Sequence, residues 1–120
     1  MFTTHLKGRL AVSNKILSLL GFAAKAGRLS YGSSAVLWAI KTHKAKLAVI
    51  SEEISEKSRK ETAYYADKQN IKTIVLKGID IKTVSDAVGK KCGIISVNDC
   101  GFADAILEAY TIKGENADDE

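Results

Sequence analysis

The chain has 120 residues, 46% hydrophobic and 27% charged, which fits one globular domain with a single core. No apolar run reaches the roughly 18 residues that a membrane span needs, and the first residues lack an apolar secretory block. We therefore expect a cytoplasmic protein that does not associate with a membrane. In that setting the two cysteines, Cys92 and Cys100, are expected to be reduced thiols.

The net charge of +4 arises from two unlike halves of the chain. Residues 1–50 contain eight lysines and arginines and no acid, whereas all 14 acids follow. This distribution favours a polyanionic partner, with nucleic acid ahead of a membrane because no basic helix with a large apolar face stands out. Composition alone is equally compatible with a solvated basic surface.

The first half of the chain predicts two helices and two strands. Ser13 is a candidate cap for a helix over NKILSLLGFAAKA, where apolar residues recur at helical spacing and which ends at Gly27. RLSY then predicts a short strand, SSAVLWAIKTHK a second helix, and the apolar run AKLAVIS a buried strand. Residues 1–12 lie outside this pattern and are interpreted as an N-terminal extension.

The alternation continues through the second half. Ser55 is a candidate cap for EKSRKETAYYADKQN, and IKTIVLK predicts the next strand. DIKTVSDAV predicts a helix that ends at Gly89, and GIISVN predicts the last strand. Asp99 is a candidate cap for the final helix, CGFADAILEAY. Four strands and five helices predict one sheet covered by helices on both faces. The domain is expected over 13–112, followed by an acidic, disordered tail over 113–120.

Motifs for catalysis or metal binding are not found in this sequence. It contains neither GxGxxG after a strand nor GxxxxGK[ST], and His5 and His43 have no metal-ligand spacing with the cysteines. Cys100 lies where a helix stabilises a thiolate, but no histidine base is evident nearby in sequence. Glu52 and Glu53 follow a strand end, where we favour a solvated loop over catalytic acids. We expect a protein that is not an enzyme, with no metal and no cofactor.

The remaining candidate site is basic and begins at the second helix. Gly32-Ser33-Ser34 opens that helix, so the N–H groups of its first turn can bind a phosphate. The serine hydroxyls are expected to cap the helix first and to donate to phosphate second. Ser34, Trp38 and Lys41 follow one another along one stripe. Trp38 is interpreted as a core residue, the commoner fate of a lone tryptophan, with a stacking face for an unpaired base as the alternative.

One long stretch of the chain resembles the kink-turn-binding ribosomal-protein family of the archaeal L7Ae type, and is most similar to its bacterial YlxQ-type members: KILSLLGFAAKAGRLSYGSSAVLWAIKTHKAKLAVISEEISEKSRKE. The resemblance extends from about Ser13 to Tyr110 and includes the later DAVGKK turn. It implies a three-layer α/β/α sandwich with a mixed four-stranded sheet. It also implies a non-catalytic, ribosome-associated protein that binds structured, kink-turn-like RNA.

The family's RNA motif is Gly-x-Asn-Glu-x-x-Lys at the start of the second helix, where this chain has GSSAVLW from Gly32 to Trp38. The glycine matches, whereas Ser34, Ala35 and Trp38 replace the asparagine, glutamate and lysine. In the family the polar pair recognises sheared G·A base pairs, and Ala35 cannot accept a hydrogen bond from guanine. The family's second contact loop corresponds to GKKCG over 89–93, which retains two lysines.

The expected RNA contacts combine backbone, hydroxyl, aromatic and basic groups: Lys25, Arg28, Gly32, Ser33, Ser34, Trp38, Lys41, Lys90 and Lys91. The expected partners are RNA and ribosomal proteins, and the free chain is expected to be a monomer. The alternative is a protein-interaction module of the ribosome or translation apparatus that has lost kink-turn recognition. In that case Glu52, Glu53 and the acidic tail would contact basic proteins.

Overall fold

The computed structural model describes the backbone of residues 2–118 and the side chains of residues 14–111. Over this range helices and strands alternate in the predicted order, as five helices and four strands: α1 (Phe2–Lys25), β1 (Leu29–Tyr31), α2 (Ser33–Lys41), β2 (Leu47–Ser51), α3 (Glu56–Lys68), β3 (Lys72–Leu76), α4 (Ile81–Val88), β4 (Ile94–Val97) and α5 (Cys100–Asp118). None of the described helices is long and apolar enough to cross a membrane.

The four strands form one mixed sheet in the order β1-β4-β2-β3. Strands β2 and β3 are parallel, and β4 runs antiparallel to both β1 and β2. Every residue of the two central strands is buried, which accounts for their largely apolar sequences. The predicted mixed four-stranded sheet is confirmed.

Helices cover both faces of this sheet. Helix α1 packs against α4 and α5 on one face, over a core that includes Leu47, Val49 and Ile95. Helices α2 and α3 pack together on the other face, with Ile94 in their core. Neighbouring residues of a strand point to opposite faces, so Ile94 and Ile95 of β4 lie in different cores. Burying one such aliphatic side chain stabilises the fold by about 1.5–3 kcal/mol. The three-layer α/β/α architecture is confirmed.

Several predicted helix ends are also confirmed. The Ser55 hydroxyl accepts a hydrogen bond from the Ser58 N–H at 3.2 Å, and the Asp99 carboxylate accepts one from the Phe102 N–H at 3.0 Å. Gly89 ends α4 in the left-handed conformation with φ 78°. These caps are local, because each joins residues within one helical turn.

Two predicted ends are wrong. Helix α1 starts at Phe2 and passes through Ser13, so Ser13 is not its cap. Helix α5 continues past Tyr110 to Asp118, so residues 113–118 of the expected disordered tail are helical. The chain has no proline, and strong helix formers favour helix over the weaker stop signals: leucine, lysine, arginine and alanine over residues 6–11, and lysine, glutamate and alanine over residues 113–117. Residues 1, 119 and 120 lie outside the described residues, and the domain boundaries at 12 and 113 stay predictions.

Candidate nucleic-acid interface

Gly32 turns the chain from β1 into α2. It is the N-cap of α2 with φ 87° and ψ 160°, a conformation that only glycine adopts readily. Its N–H donates to the Ile94 carbonyl at 2.9 Å, and its own carbonyl accepts the Val36 N–H at 2.9 Å. A Cβ added to Gly32 would meet nothing within 4 Å. The backbone conformation, and not a lack of space, therefore requires glycine here.

The first turn of α2 presents unpaired backbone N–H groups. No side chain caps this helix, so the expectation that the serine hydroxyls cap it is wrong. The cap position is taken by Gly32, which has no side chain, and Ser33 and Ser34 already lie within the helix. Within the described part of the chain, the N–H groups of Ser33, Ser34 and Ala35 have no hydrogen-bond acceptor. The first turn also contains no acid, so the positive end of the helix dipole is uncompensated.

The loop between α4 and β4 lies beside this helix end. Gly32 is hydrogen-bonded to Ile94, the first residue of β4, and the Lys90 ammonium lies 5.1 Å from the centre of the Tyr31 ring. The Ser85 hydroxyl accepts the Cys92 N–H at 3.1 Å and ties the loop back to α4. The tertiary structure thus brings Lys90, and with it the exposed Lys91, close to the start of α2.

Burial perturbs two groups in this region. Desolvation raises the pKa of Tyr31, with a smaller contribution from Cys92. Desolvation also raises the pKa of the Cys92 thiol, which the nearby Lys90 ammonium partly opposes. Both groups are therefore neutral at pH 7, and Lys90 supplies the positive charge at this end of the interface.

Lys25 and Arg28 lie at the other end of the sheet from Gly32. The Arg28 carbonyl accepts the Asn98 N–H at 2.8 Å, beyond the last residue of β4, whereas Gly32 bonds to the first residue of that strand. Lys25 is the last residue of α1, just before the same turn. At about 3.3 Å per residue, the length of β1 separates Arg28 from Gly32 by roughly 13 Å. The predicted basic set is therefore divided between two ends of the fold.

Trp38 and Lys41 lie on α2 between these ends, on its exposed side. The helix buries Val36, Ala39 and Ile40 against the sheet and α3. Trp38 lies outside this stripe and is 58% exposed, so the interpretation of Trp38 as a core residue is wrong. Exposure leaves the alternative, a stacking face for a base, available.

Lysines lie over aromatic rings at several places, a feature that the sequence analysis missed. The ammonium groups lie 4.7–5.1 Å from the ring centres in four pairs: Lys41 with Tyr65, Lys44 with Trp38, Lys68 with Tyr64 and Lys90 with Tyr31. The spacing of four residues between Tyr64 and Lys68 on one helix is a signal that the sequence contains. The other pairs join residues whose proximity depends on a turn or on tertiary packing.

The two acids after β2 have a structural role. The Glu52 carboxylate accepts the Gly78 N–H at 2.8 Å, and the Glu53 carboxylate accepts the Ile81 N–H at 2.7 Å. Glu53 thus satisfies a free N–H at the start of α4 from a distant loop. These bonds support a structural, cap-like role over a catalytic one, and they engage both carboxylates that the protein-interaction alternative would use.

The thiols and histidines remain separate from one another. Cys92 is buried and Cys100 is exposed, and both are free. His43 is exposed just beyond α2, while the side chain of His5 lies outside the described ones. Among residues 14–111, no three His, Cys, Asp or Glu side chains are placed to hold a metal ion.

Comparison with known proteins gives one family and a well-populated fold. The family model of the "Ribosomal protein L7Ae/L30e/S12e/Gadd45 family" matches residues 14–106. A protein of unknown function from Bacillus halodurans C is similar in structure, with a TM-score of 0.77, 26% identity and coverage of 81% of this chain and 97% of that one. The Giardia lamblia 15.5kD RNA binding protein has the same fold, with a TM-score of 0.68, 12% identity and coverage of 88% and 90%. No curated protein sequence matches significantly.

Proposed function

Because this chain belongs to the ribosomal protein L7Ae/L30e/S12e/Gadd45 family, we propose that it is a non-catalytic, cytoplasmic RNA-binding protein associated with the ribosome. Its ligand is a structured, kink-turn-like RNA. The start of α2 and the lysines of the α4–β4 loop form the centre of the interface. The fold shared with the Giardia RNA-binding protein is consistent with this proposal.

The observation that carries the proposal is the open first turn of α2. Its free N–H groups point away from the helix and face no acid on their own turn. An RNA phosphate placed there accepts hydrogen bonds from the backbone, which are stronger than neutral ones because the acceptor is charged. The exposed Ser34 hydroxyl adds a donor, and Lys90 and Lys91 neutralise charge beside it.

The same RNA can reach the second basic cluster. The roughly 13 Å between Gly32 and Arg28 corresponds to a few base-pair steps of a nucleic-acid duplex. A short helical segment laid along α2 therefore contacts Lys90 and Lys91 at one end and Lys25 and Arg28 at the other. Lys41 and Trp38 lie between the two clusters.

Base recognition is the part of the family's activity that this chain has weakened. Ala35 offers no acceptor to guanine at the position where the resembled motif has glutamate, and Ser34 is shorter than the asparagine it replaces. We expect less than about 10-fold preference for a kink-turn over the same RNA with its G·A pairs changed, a difference of under about 1.4 kcal/mol. A much larger preference would show that other residues recognise the G·A pairs.

A salt titration tests the proposal. With about five cations in contact with phosphates, the logarithm of the binding constant should fall against the logarithm of salt concentration with a slope of about −3 to −5. Kink-turn RNA, single-stranded RNA and a plain duplex are compared in parallel. A flat salt dependence, or no binding to any of them at low salt, would contradict RNA binding.

Paired substitutions locate the interface. Lys90→Gln with Lys91→Gln should make the slope shallower by about 1–2, and Lys25→Gln with Arg28→Gln should have a similar effect. The matched control is Lys57→Gln with Arg59→Gln on α3, which removes two exposed charges outside the proposed interface. Equal effects of all three pairs would mean that binding is unspecific charge attraction.

A further inference from the structure

An aromatic and basic surface covers the outer side of α2 and α3. It consists of three rings and three ammonium groups, here called the aromatic strip: Trp38, Lys41, Lys44, Tyr64, Tyr65 and Lys68. The Tyr64 and Tyr65 rings meet edge to face with centres 5.2 Å apart. Lys41 of α2 lies 4.7 Å from the Tyr65 ring of α3 and so joins the two helices into one continuous surface.

The two outer rings of the strip are unusually open. Trp38 is 58% and Tyr64 is 56% exposed, while Tyr65 is half-buried against the α2–α3 core and holds the strip in place. A lysine ammonium group lies over each outer ring: that of Lys44 is 4.8 Å from the centre of the Trp38 ring, and that of Lys68 is 4.9 Å from the centre of the Tyr64 ring. The strip thus pairs apolar faces with adjacent cations.

Charge decides between the partners that such a surface can bind. Residues 33–51, which include all of α2 and the loop after it, contain no acid. The acids closest to the strip along the chain are Glu61 and Asp67, both exposed on α3 itself. The α2 side of the strip is therefore uniformly positive, which favours a polyanion with flat, apolar rings over an acidic protein that offers only carboxylates.

We propose that the aromatic strip binds an unpaired, single-stranded segment of RNA. Bases stack on Trp38 and Tyr64, and the three lysines neutralise the phosphates between them. Because every base has a stacking face, this contact is tolerant of sequence. The inference takes its ligand class from the proposed function and shares Trp38 and Lys41 with that interface. It extends the RNA-binding surface to Tyr64 and Lys68 on α3, and no backbone N–H group of the α2 start takes part.

The lone tryptophan provides a direct test. Trp38 is the single tryptophan of the chain, so the protein's tryptophan fluorescence reports on the surroundings of this one ring. Oligoadenylate of about eight nucleotides, titrated at low salt, should quench this fluorescence to saturation, and added salt should reverse the quenching. Tyr64→Ala should weaken the affinity by about 5-fold or more, the loss expected for one stacked base.

Phe22→Ala is the matched control. Phe22 is 57% exposed, as open as the two strip rings, but lies on α1 at the opposite face of the sheet. Its substitution should leave the affinity for oligoadenylate unchanged. Because Tyr64 and Phe22 are both exposed, neither truncation removes a core side chain, and urea denaturation verifies that each variant is folded.

Two results would overturn the inference: no quenching of Trp38 by oligoadenylate at low salt, or equal affinities for the Tyr64→Ala and Phe22→Ala variants. Either result is compatible with the proposed function if kink-turn RNA still binds and if Lys90→Gln with Lys91→Gln still makes the salt dependence of that binding shallower. Conversely, quenching by oligoadenylate without binding of kink-turn RNA would retain the strip and reject the α2 start as the main RNA site.

Discussion

Replacing Gly32 should destabilise the protein through backbone strain alone. Its φ of 87° and ψ of 160° lie in a region that residues with a Cβ rarely occupy, and nothing within 4 Å blocks a Cβ. Strain of this kind costs about 1–3 kcal/mol. Alanine also lowers the conformational entropy of the unfolded chain relative to glycine, and this stabilises the folded state by about 0.4–1 kcal/mol, which offsets part of the strain. The net expectation for Gly32→Ala is a loss of about 1–2 kcal/mol in the free energy of unfolding.

Gly89 provides a matched position with a different backbone conformation. Its φ of 78° and ψ of 17° are left-handed helical, and a Cβ there also meets nothing within 4 Å. Asparagine tolerates the left-handed helical region, so Gly89→Asn should cost less than Gly89→Ala. At Gly32 the two substitutions should cost about the same, because asparagine has no advantage in that region.

Urea denaturation of the four variants measures these differences. With an m-value of about 2 kcal/mol/M, the loss expected for Gly32→Ala lowers the midpoint by about 0.5–1 M without changing m. The reasoning is refuted if Gly32→Ala is as stable as the wild type, or if asparagine rescues stability at position 32 as well as at position 89.

Three further outcomes follow from contacts elsewhere. Glu53→Ala should lower the free energy of unfolding in urea by about 1 kcal/mol, because it leaves the N–H at the start of α4 unpaired. The control is Glu61→Ala: Glu61 is exposed and has no described side-chain bond, so the loss should be less than about 0.5 kcal/mol. Hydrogen bonds from Thr83 in the first turn of α4 lower the pKa of Asp80. The Asp80 carboxylate therefore stabilises the folded state above the unfolded pKa of about 4, and this stabilisation is lost as the pH falls through the folded pKa. The Asp80→Asn variant keeps a capping side chain that does not titrate, so the stability of this variant should fall less steeply than that of the wild type between about pH 5 and 2. Parallel curves of stability against pH for the two proteins would contradict this expectation. A thiol reagent should modify Cys100 in the native protein, whereas Cys92, whose pKa burial raises, should react only on unfolding; prompt modification of both would show that the Cys92 site opens readily.

Local sequence signals were sufficient for the order and type of the elements. Ser55 and Asp99 cap helices through bonds to N–H groups three residues away, and Gly27 and Gly89 end helices with positive φ. Such interactions need no tertiary context, so composition and spacing predict them. The predicted start of α1 and the predicted end of α5 are wrong because capping signals there compete with helix propensity over a long segment.

Some features of the candidate site also follow from the sequence alone, whereas others depend on the tertiary structure. Sequence alone determined that α2 begins at a glycine, that its first turn lacks acids, and that the first half of the chain is basic. Only the tertiary structure decided that Lys90 lies beside Tyr31, that Arg28 lies a strand's length from Gly32, and that Trp38 faces outward. The physical reason is that these positions depend on strand direction and on which face of α2 meets the sheet and α3. A pattern of apolar spacing does not determine the strand direction. It also does not determine the buried face of α2 when a tryptophan lies at the edge of the apolar stripe.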